Sequence, residues 1–212
     1  MTRSARLAAT LGFMVAAATW VYAEDANTDC FGKDSGRRIE GCTALIDGGG
    51  VSQSQLADVY AMRALAYSLR GEYATAIQDY DAAINMRPDF AVALNNRAWA
   101  YYRWGKADAA IPDVEASLRL EPRAGYTLDT RAHIRQSKGD AKGALNDYTK
   151  AMYFGGREMT KLYQCGLTEA GLYEGRIDGI WRRDLQDAME RCVVSTSCDP
   201  LPADEHCRPA TS

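Results

Sequence analysis

Residues 64–88 read ALAYSLRGEYATAIQDYDAAINMRP, and residues 98–122 read AWAYYRWGKADAAIPDVEASLRLEP. The two stretches align without a gap at a spacing of 34 residues, and a third copy begins at Ala132. Each copy places small residues at fixed positions and a glycine between its two halves, and a proline closes the first two. This pattern predicts paired helices that approach closely, a turn at the glycine and a helix stop at the proline.

Working outward from these stretches, the chain divides into units over 57–90, 91–124 and 125–156. The pattern resembles the tetratricopeptide repeat family. In the first unit the resemblance is carried by Ala64, Tyr67, Gly71, Tyr73, Ala76, Tyr80, Ala83 and Pro88. The matching positions are Ala98, Tyr101, Gly105, Ala107, Ala110, Val114, Ser117 and Pro122 in the second unit, and Ala132, Arg135, Gly139, Ala141, Ala144, Tyr148 and Ala151 in the third.

The resemblance implies an all-α fold, a solenoid of helical hairpins with three repeats over 57–156. One hairpin cannot bury its apolar face alone, so neighbouring repeats must stack. The segment 24–56 is expected to hold a degenerate half-repeat, because Arg38–Ile46 echoes the helix Ala76–Ile84. Two positions depart from the pattern. Arg135 replaces an aromatic residue, and Pro112 is expected in the first turn of its helix, where proline is tolerated.

Arrays of this family hold peptides or protein segments on a face lined by the first helix of each repeat, and this is what the resemblance implies here. Counting helical turns places Ala61, Leu65 and Asp129 toward that face, together with the candidate partner-binding residues Asn95, Trp99, Tyr102, Arg103, Tyr126 and His133. Rings beside polar groups suit an adaptable binding surface. The alternative is that Trp99 and Tyr102 only pack against the next helix pair, and that His133 is a packing residue.

An arginine and an aspartate recur at matching positions in the three repeats. The arginines are Arg63, Arg97 and Arg131, and the aspartates are Asp79, Asp113 and Asp147. Because arginine reaches a carboxylate with two parallel hydrogen bonds, we expect each pair to meet between helices. The alternative is a solvated charge stripe that contributes little to stability.

After Gly155-Gly156 the period stops, and 157–194 resembles the small helical peptidoglycan-binding domain of bacterial envelope proteins. The matching residues are Gln164, Leu167, Gly171, Tyr173, Gly175, Asp178, Gly179, Trp181 and Ala188, whereas Arg182 and Leu185 depart from that pattern. The resemblance makes Tyr173, Asp178 and Trp181 candidates for glycan binding. A cap over the apolar face of the last repeat explains the segment equally well.

Residues 1–23 have the pattern of a signal peptide, with two arginines, an uncharged apolar run and small residues before Glu24. Six cysteines follow, and an even count in an exported chain indicates disulfides. We expect the pairs Cys30–Cys42, Cys165–Cys192 and Cys198–Cys207, the last closing a tail over 195–212. A metal site of Cys198, His206 and Cys207 is the less favoured alternative, because no Cys-x-x-Cys pair is present.

With a formal net charge of −3, the chain has no excess of positive charge with which to bind nucleic acid or an anionic membrane surface. No hydrolase motif supplies a nucleophile with its base, and we expect no enzymatic activity, no cofactor and no metal. The sequence favours an exported, periplasmic or envelope adaptor without a membrane span in its mature form. It would bind a protein or peptide and associate with peptidoglycan through 157–194. The alternatives are a wall hydrolase or its accessory protein, and a structural assembly factor.

Overall fold

The computed structural model describes residues 25–195 and 197–201, and every regular element in this part of the chain is a helix. In chain order the helices are α1 (residues 25–30), α2 (Ser35–Gly48), α3 (Gln53–Leu69), α4 (Tyr73–Met86), α5 (Ala91–Arg103), α6 (Ala107–Leu120), α7 (Gly125–Ser137), α8 (Ala141–Glu169) and α9 (Arg183–Val193). They form two compact units, one ending at Ala93 and the other beginning at Leu94. The consecutive helical hairpins confirm the predicted fold class.

The first unit contains the predicted degenerate half-repeat, which is α2. Asp34 caps its N-terminus by accepting the backbone N–H of Arg37 at 2.8 Å. Helix α3 begins with a capping box, in which Ser52 and Gln55 each accept the other's backbone N–H. Such caps satisfy amide groups that a helix leaves unpaired at its first turn.

A disulfide joins the start of this unit to α2. Cys30 and Cys42 are bonded, as predicted, and both side chains are buried beside Val59. The bond ties α1 to the half-repeat, so a short helix that would be marginal in isolation is held in place.

The turn between the two helices of each hairpin uses a left-handed glycine. Gly71, Gly105 and Gly139 have φ of 77°, 76° and 80°. In this region a side chain other than glycine crowds the backbone, which explains the recurring glycine of the sequence pattern.

The predicted arginine–aspartate pairs form in all three hairpins, each between the first and the second helix of its own hairpin. In each pair Nε donates to one carboxylate oxygen and Nη2 to the other: 2.7 and 2.8 Å for Arg63–Asp79, 2.7 and 2.7 Å for Arg97–Asp113, and 2.8 and 3.0 Å for Arg131–Asp147. The aspartates are buried. The pairs are therefore interhelical contacts of the fold rather than a solvated stripe.

One local expectation differs from the structure, and one departure from the repeat pattern gains a role. Pro112 lies in the second turn of α6, where it removes one intrahelical hydrogen bond without ending the helix. Arg135, which replaces an aromatic residue, donates from Nη1 to Asp147 at 2.7 Å. The substitution therefore gives Asp147 a second guanidinium partner.

In the second unit, the third hairpin and the C-terminal segment share one core. Leu128 and Tyr148 belong to the same buried cluster as Tyr163, Leu167 and Leu185. Helix α8 passes through Gly155-Gly156 without a loop and breaks only at Gly156, where φ is 69° and ψ is −157°. The segment after residue 156 thus covers the last hairpin, as the capping interpretation expects.

The C-terminal disulfides differ from the prediction. Cys192 is bonded to Cys198, so the expected pairs Cys165–Cys192 and Cys198–Cys207 are wrong. Cys165 is disulfide-bonded as well. The last turn of α9 brings Cys192 and Cys198 together across only six residues, with their Cα atoms 5.3 Å apart. With Cys198 in a disulfide, the proposed metal site loses a ligand; His206 and Cys207 lie outside the described residues, as does the predicted signal peptide.

Candidate functional site

Helices α5 and α7 bring four of the six predicted binding residues together in the second unit. The ring centroids of Trp99 and Tyr102 are 5.3 Å apart, and those of Trp99 and His133 are also 5.3 Å apart. The guanidinium of Arg103 lies 5.6 Å from the Trp99 ring centre. Trp99 and Tyr102 are half-buried and Arg103 is exposed, so this aromatic group has an accessible side.

The remaining two predicted residues lie on the same helices with different surroundings. Asn95 is one turn before Trp99, and its Oδ1 is buried without a hydrogen-bond partner in the described part of the chain. Tyr126 is 62% exposed in the first turn of α7. Within residues 25–195 and 197–201, no ring contact joins Tyr126 to the aromatic group.

His133 is buried, and both of its ring nitrogens face oxygen acceptors. Nδ1 is 3.0 Å from the carbonyl oxygen of Asp129, and Nε2 is 3.0 Å from Oδ1 of Asp199. A neutral imidazole has one N–H, so only the protonated ring can donate to both oxygens. Burial lowers the pKa of His133, but the charges and hydrogen bonds of Asp129 and Asp199 outweigh it and raise that pKa well above 6.5.

A second buried side chain of α7, Gln136, holds the backbone of the C-terminal segment. Its Nε2 donates to the carbonyl oxygens of Ser195 at 2.6 Å, Cys198 at 2.9 Å and Cys192 at 3.3 Å. The Tyr148 hydroxyl donates to Gln136 Oε1 at 2.8 Å and fixes the orientation of the amide. The first two carbonyls belong to the part after α9, and the third to its last turn.

These contacts define a feature that the sequence did not predict. Ser195 and residues 197–201, hereafter the C-terminal strap, lie against the polar residues of α7 through His133 and Gln136. Pro200 of the strap is fully buried. The strap therefore covers His133, one of the predicted binding residues of α7, whereas Tyr126 stays exposed.

Asp129, placed on the same face by the sequence, extends this network into α8. Its Oδ1 accepts the hydroxyl of Tyr163, and its Oδ2 lies 3.4 Å from His133 Nδ1. Burial, together with the negative charge of Asp129, raises the pKa of Tyr163 well above 10.0. Tyr163 therefore stays protonated and donates to the carboxylate.

The glycan-binding candidates lie around a buried glutamine in the C-terminal segment. Gln164 Oε1 accepts the backbone N–H groups of Asp178 at 2.9 Å and Gly179 at 2.8 Å. Asp178 pairs with Arg182, and this hydrogen-bonded guanidinium holds the pKa of Asp178 well below its usual range. Tyr173 is buried, whereas Trp181 is 38% exposed. Of the three candidates, Trp181 alone offers an accessible ring.

Two protein-family models match the chain. A model described as TPR repeat matches residues 64–105, and one described as tetratricopeptide repeat matches residues 91–123. The chain contains tetratricopeptide repeats. A comparison with curated proteins finds no match.

The matched tetratricopeptide repeats include Asn95, Trp99, Tyr102 and Arg103 but end before α7. Tetratricopeptide-repeat proteins are generally adaptors that bind other proteins, and the repeats support a protein-interaction role for this chain. The third hairpin has the same glycine turn and the same arginine–aspartate pair as the matched repeats. The repeat architecture therefore continues after Pro122 into the third hairpin, which lies beyond the residues that the two family models match.

Other surface features of this tetratricopeptide-repeat chain lie away from the aromatic group. An open cleft of about 440 Å³ is lined by the side chains of Arg123, Lys150 and Phe154, among others, and by none of the predicted binding residues. Among the described residues, no group of three His, Cys, Asp or Glu side chains is arranged to hold a metal ion. Within the same residues, no helix has both the length and the apolar character that a membrane crossing requires.

Proposed function

We propose that this chain is an exported, non-enzymatic adaptor that holds a segment of another protein against its repeat helices. The observation that carries the proposal is the aromatic group of Trp99 and Tyr102 beside the exposed Arg103, with the unpartnered Oδ1 of Asn95 one turn away. Rings provide apolar area at low entropic cost, and the amide and guanidinium provide hydrogen bonds that orient a peptide.

Export to the periplasm or cell envelope is part of the proposal. The Cys30–Cys42 and Cys192–Cys198 bonds support it, because disulfides persist in oxidising compartments. The signal-like pattern of residues 1–23 supports it independently. The intact mass of protein recovered from the envelope tests it, since the mature chain should begin at Glu24.

Affinity capture with matched variants tests the adaptor role. The full chain and its Trp99→Ala and Arg103→Ala variants are used to capture proteins from an envelope extract. Trp104→Ala is the control, because Trp104 lies on the same stretch of chain and contacts Lys106 instead. We expect one set of partners to be lost with Trp99→Ala and Arg103→Ala and retained with Trp104→Ala. Partners that survive all three substitutions would contradict the proposed site.

For the C-terminal segment we propose contact with peptidoglycan through Trp181. Its support is the exposed patch of Ile177, Ile180 and Trp181, which the Gln164 hydrogen bonds hold in a fixed loop. An exposed indole can stack on a sugar ring. Co-sedimentation with purified cell-wall sacculi should fall for Trp181→Ala and not for Trp104→Ala. Equal sedimentation of both variants would leave the segment only its capping role.

A further inference from the structure

We propose that the polar face of α7 is a recognition site for an acidic peptide in a turn conformation, that the C-terminal strap is its resident occupant, and that a partner segment binds by displacing the strap. This inference rests on the proposed adaptor function and names the chemistry of the partner. It concerns Asp129, His133 and Gln136, of which His133 contacts the rings of Trp99 and Tyr102.

The first element of recognition is the peptide backbone. Gln136 Nε2 donates to the carbonyl oxygens of Ser195 and Cys198, which are three residues apart, and Tyr148 prevents the amide from turning over. These contacts use main-chain oxygens, which every peptide carries. The chain turns at Ser197, which brings both oxygens to one nitrogen. A partner segment that turns in the same way can therefore make the same hydrogen bonds, whatever its side chains.

The second element is a single carboxylate. Asp199 follows Cys198 directly, and its Oδ1 lies 3.0 Å from Nε2 of His133. On the other side of the ring, Nδ1 faces the carbonyl oxygen of Asp129, whose carboxylate accepts the hydroxyl of Tyr163. A buried imidazolium without a carboxylate at Nε2 would lose half of its compensation, so the site selects a negatively charged residue at this position.

The third element is the residue that follows the carboxylate. Pro200 is fully buried, and Leu201 and Cys198 pack against the core of the second unit. The strap thus presents a backbone carbonyl, then a carboxylate, then a buried proline. A partner that reproduces this order, an acidic residue followed by proline directly after a turn, fits the same contacts.

The strap is suited to be a reversible occupant. Its Asp199 side chain is 51% exposed, and its hydrogen bonds can be exchanged one for one with those of a partner. The Cys192–Cys198 disulfide keeps the strap close to its site, which gives it a high effective concentration and sets a threshold that a partner must exceed. A longer partner that also contacts Trp99 and Tyr102 gains the additional binding free energy that it needs to displace the strap.

A peptide-binding experiment tests the proposal. The probe is a synthetic peptide with the sequence of residues 195–201 and serine in place of Cys198; the control peptide carries asparagine in place of Asp199. The proteins are the full chain and a release variant of it, Cys192→Ala/Cys198→Ala/Asp199→Ala. We expect the release variant to bind the probe peptide. It should bind the control peptide more weakly, by about tenfold or more. We expect the full chain to bind neither.

Adding His133→Gln to the release variant should remove the preference for the acidic probe. The proposal is overturned if a folded release variant does not bind the probe. It is also overturned if the preference for the acidic probe over the control peptide persists in the His133→Gln variant. If the release variant does not fold, Asp199→Ala alone keeps the disulfide. Its backbone amides at residues 197–199 should then exchange hydrogen faster than those of the full chain, and unchanged exchange overturns the proposal.

The outcome is separable from that of the adaptor role. If captured partners depend on Trp99 but bind the full chain and the release variant equally well, displacement is wrong and the adaptor function stands. If the probe binds as described but no partner depends on Trp99, the α7 site stands and the proposed function fails.

Discussion

Asp147 illustrates how much a single buried carboxylate contributes to a hairpin. It is fully buried and accepts hydrogen bonds from both Arg131 and Arg135, whereas Asp113 is buried with Arg97 as its bidentate partner. Asp108, by contrast, pairs with Lys138 at the surface with 84% of its side chain exposed. The same residue type therefore occurs in three environments within one unit.

We predict that substitution by asparagine destabilises the protein in the order Asp147, Asp113, Asp108. Removing one partner of a buried pair leaves a guanidinium uncompensated and costs about 3–5 kcal/mol, whereas an exposed pair contributes about 0–1 kcal/mol. Urea unfolding of the three variants measures the free energies. An Asp108 variant as unstable as the Asp147 variant would contradict the role of burial.

A double-mutant cycle on Arg97 and Asp113 isolates the pair itself. We expect Arg97→Ala/Asp113→Ala to lose less stability than the sum of the two single variants, because the second substitution removes the charge that the first left unpaired. Strictly additive losses would mean that the two side chains act independently.

His133 should make the stability of the protein depend on pH. The pKa of His133 is raised in the folded state, so the folded protein holds its proton more tightly than the unfolded chain does. The stabilisation is complete below pH 6.5 and is lost as the pH rises through the folded-state pKa. The charged and titratable groups that face the ring come from the strap, α7, α8 and α5: Asp199, Asp129, Tyr148, Tyr163 and Tyr102.

Urea unfolding between pH 6 and pH 9 checks this prediction. The free energy of unfolding of the wild type should fall with pH relative to His133→Gln, which lacks the titrating ring. The tyrosines do not interfere, because the pKa values of Tyr148 and Tyr163 are raised well above 10.0. Parallel curves for the two proteins would exclude a tightly held proton on His133.

The two residue-scale networks differ in how far the sequence could predict them. The arginine–aspartate pairs recur every 34 residues, and periodicity alone identified them. Asp199 and His133 are 66 residues apart and belong to no repeat, so no pattern linked them. Gln136 was not singled out for the same reason: its partners are backbone carbonyls, which leave no trace in a sequence.

Among the structural elements, the turn inside each hairpin depends on backbone conformation rather than on packing. A Cβ atom added at Gly139 would meet nothing within 4 Å, yet φ there is 80°. We predict that Gly139→Ala costs about 1 kcal/mol, which is the conformational penalty for a left-handed residue with a side chain. Gly50 is equally open but lacks a positive φ, so Gly50→Ala should leave stability unchanged or slightly higher. Thermal unfolding of both variants distinguishes conformational strain from steric conflict, and equal stability of the two would contradict the prediction.

The ends of the helices could be predicted where nearby residues determine the turn, and could not be predicted elsewhere. The hairpin turns follow from the positions of glycine and proline, and the half-repeat α2 follows from the likeness of Arg38–Ile46 to Ala76–Ile84. Helix α8 instead continues past Gly155-Gly156, since a single residue of non-helical conformation suffices to redirect it. The Cys192–Cys198 bond was not predicted, because we expected the cysteine of α9 to pair with one in another helix. The chain instead turns back directly after α9 and brings Cys198 to Cys192.

For the molecule as a whole, the shared core of the second unit predicts cooperative behaviour. Leu185 lies in α9, outside the repeats, but it is buried in the same cluster as Leu128 and Tyr148. Leu185→Ala should cost about 2–5 kcal/mol and should accelerate hydrogen exchange in α7 and α8 as well as in α9. Ile180→Ala, at an exposed position, serves as the control and should do neither. Faster exchange confined to α9 would show that the C-terminal segment unfolds separately from the last repeat.

The buried imidazolium also changes the charge that the molecule shows to its surroundings. The formal net charge of −3 counts both histidines as neutral at pH 7. With its proton held between two acceptors, His133 adds one positive charge to the folded state that this count omits. An unfolded chain releases that proton above about pH 6.5. Near neutral pH, unfolding therefore makes the net charge of the molecule more negative. Above about pH 6.5 the native and denatured forms should therefore differ in retention on an anion exchanger and in their migration in an electric field.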